Sequence, residues 1–218
     1  MRSLALATAL CLALFVTAFA QEAVETKVAP AGGTVKITAA PAVKHVGAVT
    51  AATAFTKAAD YAPEGGYADT DISKACVAMV TNGMTRLGDW MKKTNATPAG
   101  PFFSIWYEDP SKVKPGDLTS KQGFPISGKY DPIPGVVIED MPEADVATIT
   151  YMGAYDNSMN AWNDLMKFIE KEGYVYAGAP MEIYLVGPDK TQNPDEYLTE
   201  VQWPVKKAET APDVAPKK

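Results

Sequence analysis

One carboxylate on an otherwise apolar stretch is the group of this chain best placed to do chemistry. In the segment 181–186, MEIYLV, strand alternation sends Met181, Ile183 and Leu185 to one face and Glu182, Tyr184 and Val186 to the other. A carboxylate costs free energy to bury unless it is paired or used, whereas on a wet sheet face it is merely solvated. Glu182 is therefore a candidate either to hold a cation or to act as a general base on water, with Tyr184 beside it to polarise a leaving group. Other constellations are weak. His45 is the only histidine, and no GxSxG elbow accompanies it. With His45 far from Cys76 in sequence, there is no zinc spacing. No phosphate-binding or dinucleotide glycine loop is present, and no cofactor is expected.

The elements that must position Glu182 run from 144 to 188. A strand over 146–152 is rich in Thr, Ile and Tyr. Gly153 breaks it, and Asp156 is placed to cap a helix over 157–172. Trp162, Leu165, Met166 and Ile169 form one apolar stripe on that helix, and Gly173 stops it. The apolar set Met181, Ile183 and Leu185 matches this stripe. The expectation is that it packs under the helix and leaves Glu182 on the opposite face. An earlier helix over 71–93 carries Ile72, Ala75, Cys76, Met79, Val80, Gly83, Leu87 and Trp90 on one side. Gly83 suggests a close approach to the sheet. The segment 100–110, GPFFSIWYEDP, mirrors PMEIYLVGP, so that Ser104-Ile105-Trp106 stands where Glu182-Ile183-Tyr184 does. A first strand lies within 35–49, interrupted by Pro41, and a further strand is expected over 124–130.

The runs YMGAYDNSMNAWNDLMKFIEKEGY, PMEIYLVGP and NPDEYLTEVQWPV, in this order and spacing, resemble the GyrI-like effector-binding domain, which also forms the ligand-sensing part of some AraC- and MerR-type regulators. The match is dense over 145–205 and thinner back to 35. The resemblance implies an α+β fold of tandem β-α-β-β modules (SHS2-type), about 35–110 and 124–205. It implies an antiparallel sheet with helices on one face and a ligand cleft on the other. It also implies that Glu182 lies in the cleft. Tyr184, Tyr151, Trp106 and Trp203 are then expected as an aromatic wall, with Ser104 opposite Glu182. Trp162, Phe168 and Trp90 read as core. Aromatic faces with one carboxylate favour a cationic or amphiphilic flat ligand. Binding without catalysis is the favoured function; the alternative is a GyrI-like hydrolase of electrophilic molecules with Glu182 as general base. The related SOUL family binds haem, but the motifs here are not its motifs.

Composition agrees with a globular chain: 218 residues, 47% hydrophobic and 21% charged. The formal net charge of −6 repels nucleic-acid backbones. Residues 1–20, with one Arg, an apolar run and Ala18-Phe19-Ala20, read as a signal peptide cleaved before Gln21, the rival reading being a retained anchor. This predicts a periplasmic or secreted protein. Residues 21–34 read as a linker, 35–205 as the folded domain and 206–218 as a disordered tail. Cys76 is expected as a buried, inert thiol, and Asn95-Ala96-Thr97 fits an N-glycosylation triplet.

Overall fold

The computed structural model describes residues 33–208; the expected signal peptide, most of the linker and most of the tail lie outside them. In chain order the elements are β1 (Lys36–Val46), β2 (Val49–Lys57), α1 (Ile72–Thr94), β3 (Phe103–Trp106), β4 (Thr119–Pro125), β5 (Val137–Met141), β6 (Ala144–Met152), α2 (Met159–Lys171), β7 (Tyr174–Tyr176), β8 (Met181–Val186) and β9 (Leu198–Lys207). All the strands join one antiparallel sheet in the order β1-β6-β9-β8-β3-β4-β2-β5, with β7 also on β9. The α+β fold expected from the sequence is therefore the fold observed. Each half of the sheet runs strand, helix, strand, strand: β2-α1-β3-β4 and β6-α2-β8-β9. In each half a short 3-10 turn that opens with a proline, Pro115–Asp117 or Pro194–Glu196, leads into the last strand.

The halves meet twice. They meet centrally where β3 pairs with β8, and Ser104 lies directly opposite Glu182. They also meet through a long two-stranded ribbon. β1 pairs with β6 and β2 with β5, and from Ala42 onward the register continues across the junction, Val46 opposite Ala144 and Val49 opposite Met141. The ribbon is interrupted at Gly47-Ala48 and Pro142-Glu143, where glycine on one strand and proline on the other break the ladder. Two intervening residues span no more than about 11 Å between strand ends, so this ribbon draws the outer strands of the two halves together and curls the sheet.

A row of directly paired residues crosses the sheet and fixes which face is which: Ala54, Gln122, Ser104, Glu182, Val201 and Ile149. Residues opposed in this way share a face. Ala54 packs under α1 with Leu87 and Trp90, and Ile149 and Val201 pack under α2 with Leu165 and Ile169. Both helices thus cover one face, and Glu182 is on it. The expected cleft on the face away from the helices is corrected: Met181 and Ile183 lie half-buried on the uncovered face, and Glu182 with Tyr184 lies on the helix side. The reason is packing. The uncovered face is apolar at its centre, where the Phe103 ring lies over Gly123, so closely that a Cβ there would come within 2.7 Å of it. Apolar character alone therefore did not mark the helix side.

Three further expectations need revision. The strand β2, VTAATAFTK, was unrecognised because Ala and Thr give it little apolar contrast; its Ala51, Ala52 and Ala54 are fully buried. The strand expected over 124–130 is β4, beginning at Thr119, so the first half reaches beyond residue 110. Asp156 does not cap α2. It belongs to a 3-10 turn, Tyr155–Asn157, and accepts a hydrogen bond from Ser73 of α1. Other expectations hold. Gly173 has φ of 68°, the left-handed conformation expected at a helix stop. α1 buries Ala75, Met79, Gly83, Leu87 and Trp90, five of the eight residues read from its stripe.

Gly83 brings α1 down onto Gln122, whose Cγ would lie 2.9 Å from a Cβ at that position. Gln122 cannot yield easily. Its carbonyl accepts from Thr56 (3.0 Å), its amide donates to Ser120 (2.8 Å), and all three side chains are buried. Gly83→Ala should gain about 1 kcal/mol of helix propensity and lose more in displaced hydrogen bonds. The expected outcome in denaturant unfolding is a net loss of about 1–3 kcal/mol, mostly recovered in a Gln122→Ala background. A Gly83→Ala protein more stable than its parent would contradict this contact.

Candidate functional site

The two helices pack on the strands of their own halves and form no packed interface with each other. The central β3–β8 pair joins the two halves, and on it Glu182 is buried on the helix side, 7% exposed. Its carboxylate is surrounded by donors. The Trp106 indole N–H donates to Oε2 (3.0 Å) and the Tyr151 hydroxyl to Oε1 (3.2 Å). The Tyr184 hydroxyl lies 2.9 Å from Ser104 Oγ and 3.5 Å from Glu182 Oε2, linking all three groups in a chain. Strand geometry explains this convergence. Ser104 faces Glu182 across the central pair, Tyr184 is two residues along the same strand, and Tyr151 reaches in from β6.

The electrostatics follow from burial. Desolvation raises the pKa of Glu182, and hydrogen bonds from Trp106, Tyr151, Tyr184 and Trp162 pull it partly back. All these partners are neutral. Among the described residues no ion pair reaches Glu182. Burial, reinforced by the charge of Glu182, holds the phenols of Tyr151 and Tyr184 far above the ordinary tyrosine value, so they remain neutral donors. The arrangement is a buried carboxylate hydrogen-bonded by aromatic side chains, with no ion-pair partner among the described residues.

Five of the six residues expected at the site come together here: Glu182, Tyr184, Tyr151, Trp106 and Ser104. Trp203 stands farther out. It lies tilted against Tyr176 (4.4 Å between centroids), meets Trp162 edge-on (5.9 Å) and donates to the carbonyl of Gly178 (3.0 Å). Trp162 packs against the α2 core as expected, and its indole also helps to pull the Glu182 pKa back. Two tyrosines were missed. Tyr155, in the 3-10 turn before α2, meets the Tyr184 ring edge-on at 5.5 Å and stacks on Tyr197 at 5.0 Å. Neither sits on a periodic element, so no alternation pattern could have found them. Cys76 of α1 fits its inert reading: burial first, then the charges of Glu182 and Asp156, push its thiol up to about 12. His45 is remote and exposed, with Nδ1 3.0 Å from Asp145.

A carboxylate whose folded-state pKa exceeds its unfolded value works against folding at neutral pH. As pH falls through the folded-state value, the native protein takes up a proton that the unfolded chain does not, and stability rises; the gain ends once the unfolded chain is protonated too. Glu182→Gln keeps the shape and removes the charge. At pH 7–8 it should be more stable than the parent by about 0.5–2 kcal/mol, with the difference vanishing toward pH 4. Thermal unfolding across this range checks it, and a variant less stable at every pH would show that the carboxylate is structural.

With the geometry in hand, comparison with known proteins places the chain. Curated proteins give no sequence match. Among solved structures, the C-terminal domain of EcmrR superposes with a TM-score of 0.63 at 19% identity, covering 78% of this chain and 99% of that one. EcmrR in its DNA complex gives the same score at 20% identity, covering 77% of this chain; the protein here spans 57% of that regulator's length. A hydrolase from Listeria innocua aligns at 14% identity and a TM-score of 0.49, over 77% of this chain and 92% of its own. At these identities the likeness is one of fold. The GyrI-like small molecule binding domain matches residues 52–206, which include every residue around Glu182. The chain belongs to the GyrI-like small molecule binding domain family.

Proposed function

We propose that this protein is an exported binder of amphiphilic or cationic aromatic molecules, which it holds against Glu182 in the gap between α1 and α2. One observation carries the ligand class: a buried carboxylate hydrogen-bonded only to neutral donors and walled by aromatic rings. A cation supplies the missing counter-charge, and ring faces attract it by a further 0.5–2 kcal/mol, roughly. Anions meet a negative floor. Export is supported by the sequence of residues 1–20 alone.

Titration of a lipophilic cation such as tetraphenylphosphonium, a neutral aromatic of similar size and an aromatic anion tests the ligand class. The cation should bind best. Glu182→Gln should weaken it about 5- to 150-fold, the loss of about 1–3 kcal/mol from a partly desolvated ion pair, and leave the neutral compound unchanged. Trp106→Ala should weaken both through lost stacking area, and Trp203→Ala should do so much less. Preference for the anion would refute the assignment. For export, the amino terminus of protein recovered from the periplasm or medium should be Gln21; intact Met1 in a membrane fraction would sink it.

A second reading, hydrolysis of an electrophile with Glu182 as general base, is favoured by one feature: the Tyr151 and Tyr184 hydroxyls both converge on the carboxylate. Under it, Glu182→Gln retains binding and loses turnover.

A further inference from the structure

With Glu182 buried, some part of the surrounding wall must move before a molecule reaches it. The floor cannot. β3 and β8 are hydrogen-bonded to each other and to β4 and β9. The helices are costly to shift: α1 is anchored by Met79, Leu87, Trp90 and Met91, and α2 by Ala161, Leu165 and Ile169, all buried. Displacing either would expose several large side chains, each worth about 1.5–3 kcal/mol. The 3-10 turn Tyr155–Asn157 is different. It follows Gly153 (φ 135°), and its residues include none that is fully buried. Tyr155 leans on Tyr184 and Tyr197, and Asp156 is held across the gap by the Ser73 hydroxyl of α1. Cys76 stands one turn along α1 from Ser73 and is only partly exposed.

We propose that the Ser73–Asp156 hydrogen bond is a crossbar over the mouth of the site, and that bulky ligands reach Glu182 by breaking it and swinging Tyr155 aside. This rests on the reading of Glu182 as the ligand-holding group. The crossbar sets a size threshold: it slows association of wide molecules and leaves equilibrium contacts at the floor intact. Asp156 has a second effect, since its carboxylate attracts cations at the mouth. Removing it therefore mixes faster opening with weaker steering. Ser73→Ala removes the bond and leaves the charge, so it isolates the crossbar, and Ser73→Thr retains a hydroxyl.

The test has two arms on the full chain. In the first, a maleimide labels Cys76 without any ligand present, and the rate is read on the Cys76 peptide by mass spectrometry. In the second, stopped-flow tryptophan fluorescence follows association of tetraphenylphosphonium. Ser73→Ala should raise both rates about 3- to 10-fold, the scale of one exposed charge-assisted hydrogen bond, while Ser73→Thr stays near the parent. Faster labelling with no binding of any cation keeps the crossbar and refutes the ligand class. Cation binding with both rates unchanged in Ser73→Ala overturns the crossbar and keeps the ligand class.

Discussion

The rest of the structure depends on a carboxylate kept out of water on the helix-covered face of the sheet, where each helix packs on the strands of its own half. Glu182 carries the unfavourable part of this arrangement, a desolvated charge, and Trp106, Tyr151, Tyr184 and Trp162 offset it only in part. Packing α1 against α2 would remove the need for polar groups there. Instead each helix packs on its own strands, and Ser104, Glu182 and Tyr184 lie together on the central pair with Tyr155 edge-on against Tyr184. Such a site costs stability while empty, which is the usual signature of a group retained for function.

The architecture explains why the gap persists. The central β3–β8 pair and the bent ribbon of β1-β2 with β5-β6 join the two halves at opposite sides of a curled sheet. With the sheet held at both seams, the helices cannot slide together to close the space over the centre. Close contact is reserved for each helix with its own strands, as Gly83 over Gln122 shows on the α1 side.

Much of this was legible in the sequence, for identifiable reasons. Alternation along MEIYLV put Glu182 and Tyr184 on one face, and the likeness of FSIW to MEIY set Ser104 opposite Glu182, as the register confirms. The helix stripe of α1 and the glycine stop of α2 were also readable. The choice of face was not, because Phe103, Ile105, Met181 and Ile183 make the uncovered side apolar as well. β2 was hidden by its alanines, of which Ala52 and Ala54 are buried under α1. Trp162 was rightly read as packing on the α2 core, but its influence on Glu182 was not legible, because it flanks the line Ala161, Leu165 and Ile169 that packs on the sheet. Periodicity locates a helix's apolar stripe but does not tell which flank borders a gap. Tyr155 and Tyr197 come from turns, where neither helical nor strand periodicity exists.

The claim on which everything turns is that the charge of Glu182 is uncompensated until a cation arrives. Calorimetric titration of tetraphenylphosphonium in buffers of different ionisation enthalpy, repeated across pH, reads the protons exchanged on binding. A raised pKa in the empty site and an ionised carboxylate in the occupied one require proton release. The release should approach one proton per cation below the raised pKa and fade above it, with affinity increasing as pH rises. In Glu182→Gln the release should disappear. Binding without proton exchange at any pH, or equal release from the variant, would contradict the account.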